Sequence, residues 1–194
     1  VGGIEVAPEA WGVDFLLTGS QKALALPPGL AFGTASERLL RRAETIPARG
    51  MYLDLVEIDR YWKEPQTPAT PAISLVYAMA AQLRCIEEEG MAARAARHWT
   101  MARHCWAWAD EVGARYGVQV IAPAEHRSPT VSTLTVPAGT TGPAFAAKIA
   151  EHGFQVATGY GKLRESTIRI GHMGDHSLEA LDALLGTIGE VLAG

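Results

Sequence analysis

The sequence predicts an α/β chain, on three observations. Short apolar runs at Phe15–Leu17 and Leu30–Thr34 are separated by glycine and proline turns, as strands are. Long stretches in the middle and at the end repeat apolar residues at helical spacing. From Thr70 onward the signals alternate as α-α-β-β-α-β-β-α, the order of a small sheet with helices packed on it.

Each element has a local cause. Trp11-Gly12-Val13-Asp14 is a turn that leads into Phe15-Leu16-Leu17, read as a buried strand. Thr18-Gly19-Ser20-Gln21-Lys22 and Pro27-Pro28-Gly29 then separate it from the second strand. Ser36 caps a short helix, Glu37 to Ala43, with an acid in its first turn. Residues 44–69 hold Pro47, Gly50, Pro65 and Pro68 without a sustained period, and 49–69 is read as a connector. Thr70-Pro71 marks a helix start, with Leu75, Met79, Leu83 and Ile86 on one face; Gly90 closes that helix and Gly117 the next. Strands follow near Val118–Ile121 and Thr130–Val136. A helix from Pro143 to His152 and strands at Phe154–Ala157 and Ser166–Ile170 come next. Ser177 or Asp175 caps a last helix whose apolar face carries Leu178, Leu181, Leu184, Leu185, Ile188 and Leu192.

Composition excludes several classes of function. With 194 residues, 48% apolar and 20% charged, the chain can bury a sizeable core. A net charge of −4 gives no global attraction to nucleic acid or anionic lipid. No apolar stretch approaches the roughly 18 residues that span a bilayer, and no signal segment opens the chain. Cys85 and Cys105 stand far apart outside any CxxC pattern, which fits a reducing cytoplasm and argues against a thiolate zinc site. The Trp- and Arg-rich stretch from Ala81 to Gly117 balances five arginines against five acids, so it reads as a packed amphipathic helix, not a nucleic-acid platform. His172 and His176 are interrupted by Gly174 and have no third ligand near, so they read as a loop pair without metal.

Three residues carry candidate chemistry. Lys22 sits in a small-residue turn just past an apolar strand, the place where α/β sheets bind ligands. A partly buried amine there loses hydration, and in its neutral form it can attack a carbonyl to form an imine. A loop lysine snorkelling to water is the simpler alternative on spacing alone. Arg169 lies in mid-strand, on the face opposite Ile168 and Ile170, where a guanidinium suits a substrate carboxylate held by two hydrogen bonds or, alternatively, a structural ion pair. Thr70 stands at a helix N-terminus, a favourable place for phosphate, though most such residues only cap.

Together these segments resemble the class V aminotransferases, pyridoxal-phosphate enzymes of fold type I, and within them the alanine/serine–glyoxylate branch. The resemblance rests on Trp11-Gly12-Val13-Asp14, Thr18 to Leu24, Pro27 to Leu30, Tyr52-Leu53-Asp54, Thr70 to Tyr77 and Arg169 to Gly174, in that order along nearly the whole chain. It implies that residues 1–48 end the large cofactor-binding α/β domain, that 49–69 connect, and that 70–194 form the small α+β C-terminal domain. It implies a Lys22 Schiff base with pyridoxal 5′-phosphate, with Lys22 also moving the proton between substrate and cofactor. Gln21 would help to hold the phosphate. Thr70 would reach the cofactor of a neighbouring subunit in a homodimer, and Arg169 would clamp the substrate carboxylate. Thr67 replaces a tyrosine that the family often carries, leaving a hydroxyl alone for that phosphate contact. The implied reaction is transamination of alanine or serine with glyoxylate or pyruvate. The alternatives are another class V enzyme, such as a pyridoxamine–pyruvate aminotransferase or a lyase, and a non-catalytic dimerisation module. Because the chain starts at Val1 without the family's pyridine-nitrogen aspartate, it is expected to be the C-terminal portion of a longer protein and inactive alone.

Overall fold

The structure, a computed structural model, describes residues 1–194. It contains five strands and six α-helices: β1 (Phe15–Gly19), β2 (Ala31–Ala35), α1 (Glu37–Glu44), α2 (Leu55–Lys63), α3 (Ile73–Glu89), α4 (Met91–Glu111), β3 (Val131–Thr135), α5 (Gly142–Glu151), β4 (Ala157–Thr158), β5 (Thr167–Gly171) and α6 (Leu178–Ala193). The α/β class predicted from the sequence holds.

The chain divides into two compact units. One comprises Val1 and Glu5–Glu89, the other Gly2–Ile4 and Gly90–Gly194. Helix α3 groups with the first unit, and the main segment of the second begins at Gly90.

In the first unit β1 and β2 form a two-stranded antiparallel ribbon, with Leu17 opposite Gly33. The expected burial of β1 is not found: Phe15 is 42% and Leu17 62% exposed. Two strands cannot cover both of their own faces, so apolar residues on such a ribbon stay in water unless another layer is laid on them. Leu24, Met79 and Ile86 form the small core here, with Leu26, Leu30 and Phe32 against it. Of the apolar face expected on α3, Met79 and Ile86 are buried but Leu83 is half exposed.

The connector holds a helix that the proline pattern hid. Asp54 caps α2 by accepting the Val56 N–H at 3.0 Å, and its carboxylate also accepts from Arg49. Ion pairs Glu57–Arg60, Arg60–Glu64 and Asp59–Lys63 run along its surface. These local contacts, not an apolar stripe, specify the helix. Helix α3 starts at Ile73, with the Val76 N–H bonded to the Ala72 carbonyl, so Thr70 precedes the cap position and does not cap.

The second unit has a continuous core. The sheet order is β3-β5-β4, all antiparallel, with Ser132 opposite Ile170 and Thr133 opposite Arg169. Leu134, Ile168 and Ile170 on one sheet face pack with Met101, Cys105 and Ala109 of α4, Phe145 and Ile149 of α5, and Leu181, Leu185 and Ile188 of α6. Helix α4 buries Arg94, His98, Met101, Ala102, Cys105 and Ala109, the stripe of a packed helix. It ends at Glu111, ahead of Gly117, where a short 3₁₀ turn intervenes. Near Val118–Ile121 only a single bridge, Val120 to Leu134, forms in place of a strand. Thr141 and Ser177 cap α5 and α6 through their hydroxyls. No helix is long and apolar enough to cross a membrane.

Candidate active site

Lys22 sits in the turn between β1 and β2, and backbone bonds fix that turn. Ser20 is fully buried; its hydroxyl donates to the Pro27 carbonyl at 2.8 Å and accepts from the Leu30 N–H at 3.2 Å. The Leu26 N–H returns to the Ser20 carbonyl, and the Ala25 N–H donates to the Lys22 carbonyl at 2.9 Å. Ala25 takes φ +56°, a left-handed conformation that costs a non-glycine residue about 1 kcal/mol. Ala23 and Leu24 point into the core. The main chain at position 22 is thus anchored on both sides.

The Lys22 side chain is exposed, which corrects the expectation of a partly buried amine. Desolvation requires walls, and a two-stranded ribbon supplies none. The amine makes no ion pair or hydrogen bond to the protein. Gln21, beside it, is exposed and folds its amide toward Gly19, where a Cβ would meet Oε1 at 2.8 Å. Thr67 and Thr70 are both exposed, and neither hydroxyl makes a hydrogen bond within the chain. Asp14 is committed elsewhere: its carboxylate accepts from Ser36 Oγ at 2.6 Å and from Arg38 at 2.7 and 3.0 Å, and these bonds lower its pKa.

Arg169, in the second unit, is half-buried on the sheet face opposite Ile168 and Ile170, as the alternation predicts. It has no acidic partner, which removes the structural ion pair as an account of it. Its Nε–H donates to the Thr158 carbonyl at 2.8 Å, and its Cζ lies 4.1 Å from the centre of the Tyr160 ring. The two terminal nitrogens have no protein acceptor. A cavity of about 310 Å³ with Arg169 in its wall is also lined by Phe154, Val156, His176 and Leu184.

The segment after β5 is clasped in a way that residue spacing does not reveal. His172 is fully buried. Its Nδ1 lies 3.2 Å from the Pro129 carbonyl and its Nε2 2.9 Å from Ser132 Oγ, which in turn accepts from Trp106 Nε1 at 2.9 Å. With Nδ1 carrying the proton, every donor in this chain finds an acceptor. Burial pushes the His172 pKa down to about 4, so the ring is neutral near pH 7. Farther along, Arg94 pairs with Asp175 at 2.8 Å, and Arg97 donates to the Gly174 and His176 carbonyls. Buried His98 places its two ring nitrogens 3.0 Å from the Gly3 carbonyl and 3.3 Å from the Gly174 carbonyl. The Arg and His residues of α4 therefore hold the turn behind the Arg169 strand. Two buried histidines that anchor backbone were missed in the sequence, because burial depends on packing partners far along the chain.

Residues 1–173 match the family model for class-V aminotransferases, and the chain belongs to that family. It is 35% identical over 177 residues to an uncharacterised aminotransferase of Methanocaldococcus jannaschii, covering 90% of this chain and 45% of that protein. It is 32% identical over 186 residues to the serine–glyoxylate aminotransferase of Arabidopsis thaliana, covering 92% of this chain and 44% of the other. The crystal structure of an alanine–glyoxylate aminotransferase from Nostoc sp. superimposes with a TM-score of 0.89 at 32% identity, over 98% of this chain and 51% of that one. The chain thus spans about half the length of the relatives it matches.

Proposed function

We propose that the complete protein is a pyridoxal-phosphate-dependent transaminase that passes an amino group from L-alanine or L-serine to glyoxylate or pyruvate. The similar proteins named as serine–glyoxylate and alanine–glyoxylate aminotransferases support this choice of substrates. The observation that carries the reading is Arg169, a half-buried guanidinium with no acidic partner and both terminal nitrogens open.

The donor set fits the cofactor. An aldehyde requires a primary amine, and Lys22 offers one that no carboxylate of the chain neutralises. A phosphate requires N–H and O–H donors, and Gln21, Thr67 and Thr70 offer an amide and two hydroxyls that the protein leaves unused. When bound, pyridoxal phosphate supplies the electron sink that makes a substrate Cα–H acidic. Lys22 holds the cofactor through its amine and accepts and returns the proton at the substrate Cα. Gln21 hydrogen-bonds the phosphate, with the Thr67 hydroxyl as a further contact. Thr70 serves the cofactor of a second copy, so the working unit is a homodimer with shared sites. Arg169 fixes the substrate carboxylate by two parallel hydrogen bonds and so orients the Cα–H bond. The free thiols of Cys85 and Cys105 suit a reducing cytoplasm.

The test is amino-group transfer from L-alanine or L-serine to glyoxylate, measured on the complete protein with Lys22 intact and as Lys22→Ala. Loss of a catalytic proton carrier lowers the rate by about 10²–10⁴-fold. Transfer that survives Lys22→Ala within tenfold contradicts the assignment.

A further inference from the structure

Arg169 is held before any ligand arrives, and the group that holds it has no other evident task. Tyr160 is 77% exposed, so the core does not explain it. Its ring lies 4.1 Å from the Arg169 Cζ, well inside cation–π range, although the two residues come from different segments. Of the other cation–ring contacts, Arg103 on Trp99 and Arg127 on Trp106 are looser, at 5.5 and 5.4 Å. Arg60 on Tyr61 is as close at 4.2 Å, but there the ring belongs to the next residue.

The loop that carries Tyr160 is built to keep the ring in place. Strand β4 pairs Ala157 with Arg169 and Thr158 with Ile168. The Gly159 N–H then donates to the Thr167 carbonyl at 3.2 Å. No side chain fits at Gly159, because a Cβ would meet Thr167 Oγ1 at 2.3 Å and the Leu163 carbonyl at 2.5 Å. Beyond the ring, Gly161 turns at φ +52°, the Leu163 N–H closes onto the Tyr160 carbonyl at 3.0 Å, and Thr167 Oγ1 donates to the Leu163 carbonyl at 2.7 Å. An exposed aromatic residue is thus mounted on a loop pinned at both ends.

A guanidinium is planar, and its contacts divide by direction. The Thr158 carbonyl takes the Nε edge, and the Tyr160 ring covers one face. What remains is the edge formed by the two terminal nitrogens, which is the edge a carboxylate grips with two parallel bonds. We propose that Tyr160 is a positioning residue for carboxylate recognition. Its ring presets the plane of the Arg169 fork and shields one face, so a carboxylate enters edge-on to a group that is already oriented. The inference rests on Arg169 being the carboxylate clamp and adds the residue that sets its geometry. Pre-orientation removes part of the ordering cost of binding, so its loss falls on affinity and not on the chemical step.

The test uses the complete protein and propionate, a monocarboxylate with no amino or keto group to react. Propionate binding is followed by calorimetry, with kcat and KM for L-alanine measured beside it, for Tyr160→Ala, Tyr160→Leu, Tyr160→Phe and Arg169→Ala. Tyr160→Ala and Tyr160→Leu should weaken propionate about fivefold and raise KM in proportion, with kcat within about twofold of the parent. Tyr160→Phe, which keeps the ring, should stay within about twofold. The proposal is overturned if the Ala variant binds propionate like the parent, if Phe is as weak as Ala, or if kcat falls while propionate binding holds. In those cases a large loss in Arg169→Ala leaves the clamp standing without its plate. If Arg169→Ala itself binds propionate like the parent, the clamp fails and the proposal with it.

Discussion

Lys22 and Arg169 are both cations placed on short strand-and-turn frames, but the protein holds them differently. At Lys22 the main chain is fixed by buried Ser20, Ala23 and Leu24, while the side chain is left free in water. At Arg169 the side chain itself is fixed, by the Thr158 carbonyl on one edge and the Tyr160 ring on one face. The difference lies in what this chain lays against each side chain. A guanidinium that recognises a planar ligand gains from being rigid beforehand. The frames differ in the same sense: the Arg169 strand lies over a continuous core shared by α4, α5 and α6, whereas the Lys22 turn rests on three buried side chains.

The largest effect that would sharpen this contrast is at the clamp. Arg169→Ala in the complete protein should cost carboxylate substrates about 2–5 kcal/mol, read as a rise in KM for amino donor and acceptor alike. An unchanged KM would break the comparison at its stronger end.

Core truncations compare the two frames. Ile149→Ala removes a fully buried side chain from the large core and should destabilise by about 4 kcal/mol, read as a lower Tm. Met79→Ala, in the small core where neighbours can settle into the gap, should cost nearer about 2 kcal/mol. Equal losses would show that the two frames are equally well packed.

A further effect, of comparable size, is the acid dependence of the second unit. His172 has a pKa near 4 when folded and about 6.5 when unfolded. The unfolded chain therefore takes up a proton first as pH falls, and stability is lost progressively from about pH 6.5 down to about pH 4. The full loss is of the order of 3 kcal/mol. Denaturant unfolding across this range should show the slope, and His172→Asn should flatten it.

How much of this was legible beforehand depended on the range of the interactions. Helices α1, α5 and α6 could be read because their signals are local: Ser36 with an acid in the first turn for α1, Pro143 at the start of α5 with Gly153 after its end, and Ser177 with an apolar face for α6. The alternation that put Arg169 opposite Ile168 and Ile170 is equally local. Helix α2 was hidden because ion pairs and the Asp54 cap specify it, while the flanking prolines suggested a connector. The burial of β1 was misjudged because an apolar run states what a strand could bury, not whether a second layer exists to bury it. Tyr160 and His172 depend on partners that only the β4–β5 and β3–β5 pairings bring near, so the Gly-Tyr-Gly and Gly-His-Met-Gly strings gave no sign of either role.

The proposed function turns on whether the amine at position 22 holds the cofactor. Borohydride reduction of the complete protein with pyridoxal phosphate, followed by peptide mass mapping, tests it directly. One reduced pyridoxyl label is expected, on the peptide that carries Lys22. A label on Lys63, Lys148 or Lys162 in its place, or no label on a protein that shows visible cofactor absorbance, would contradict it.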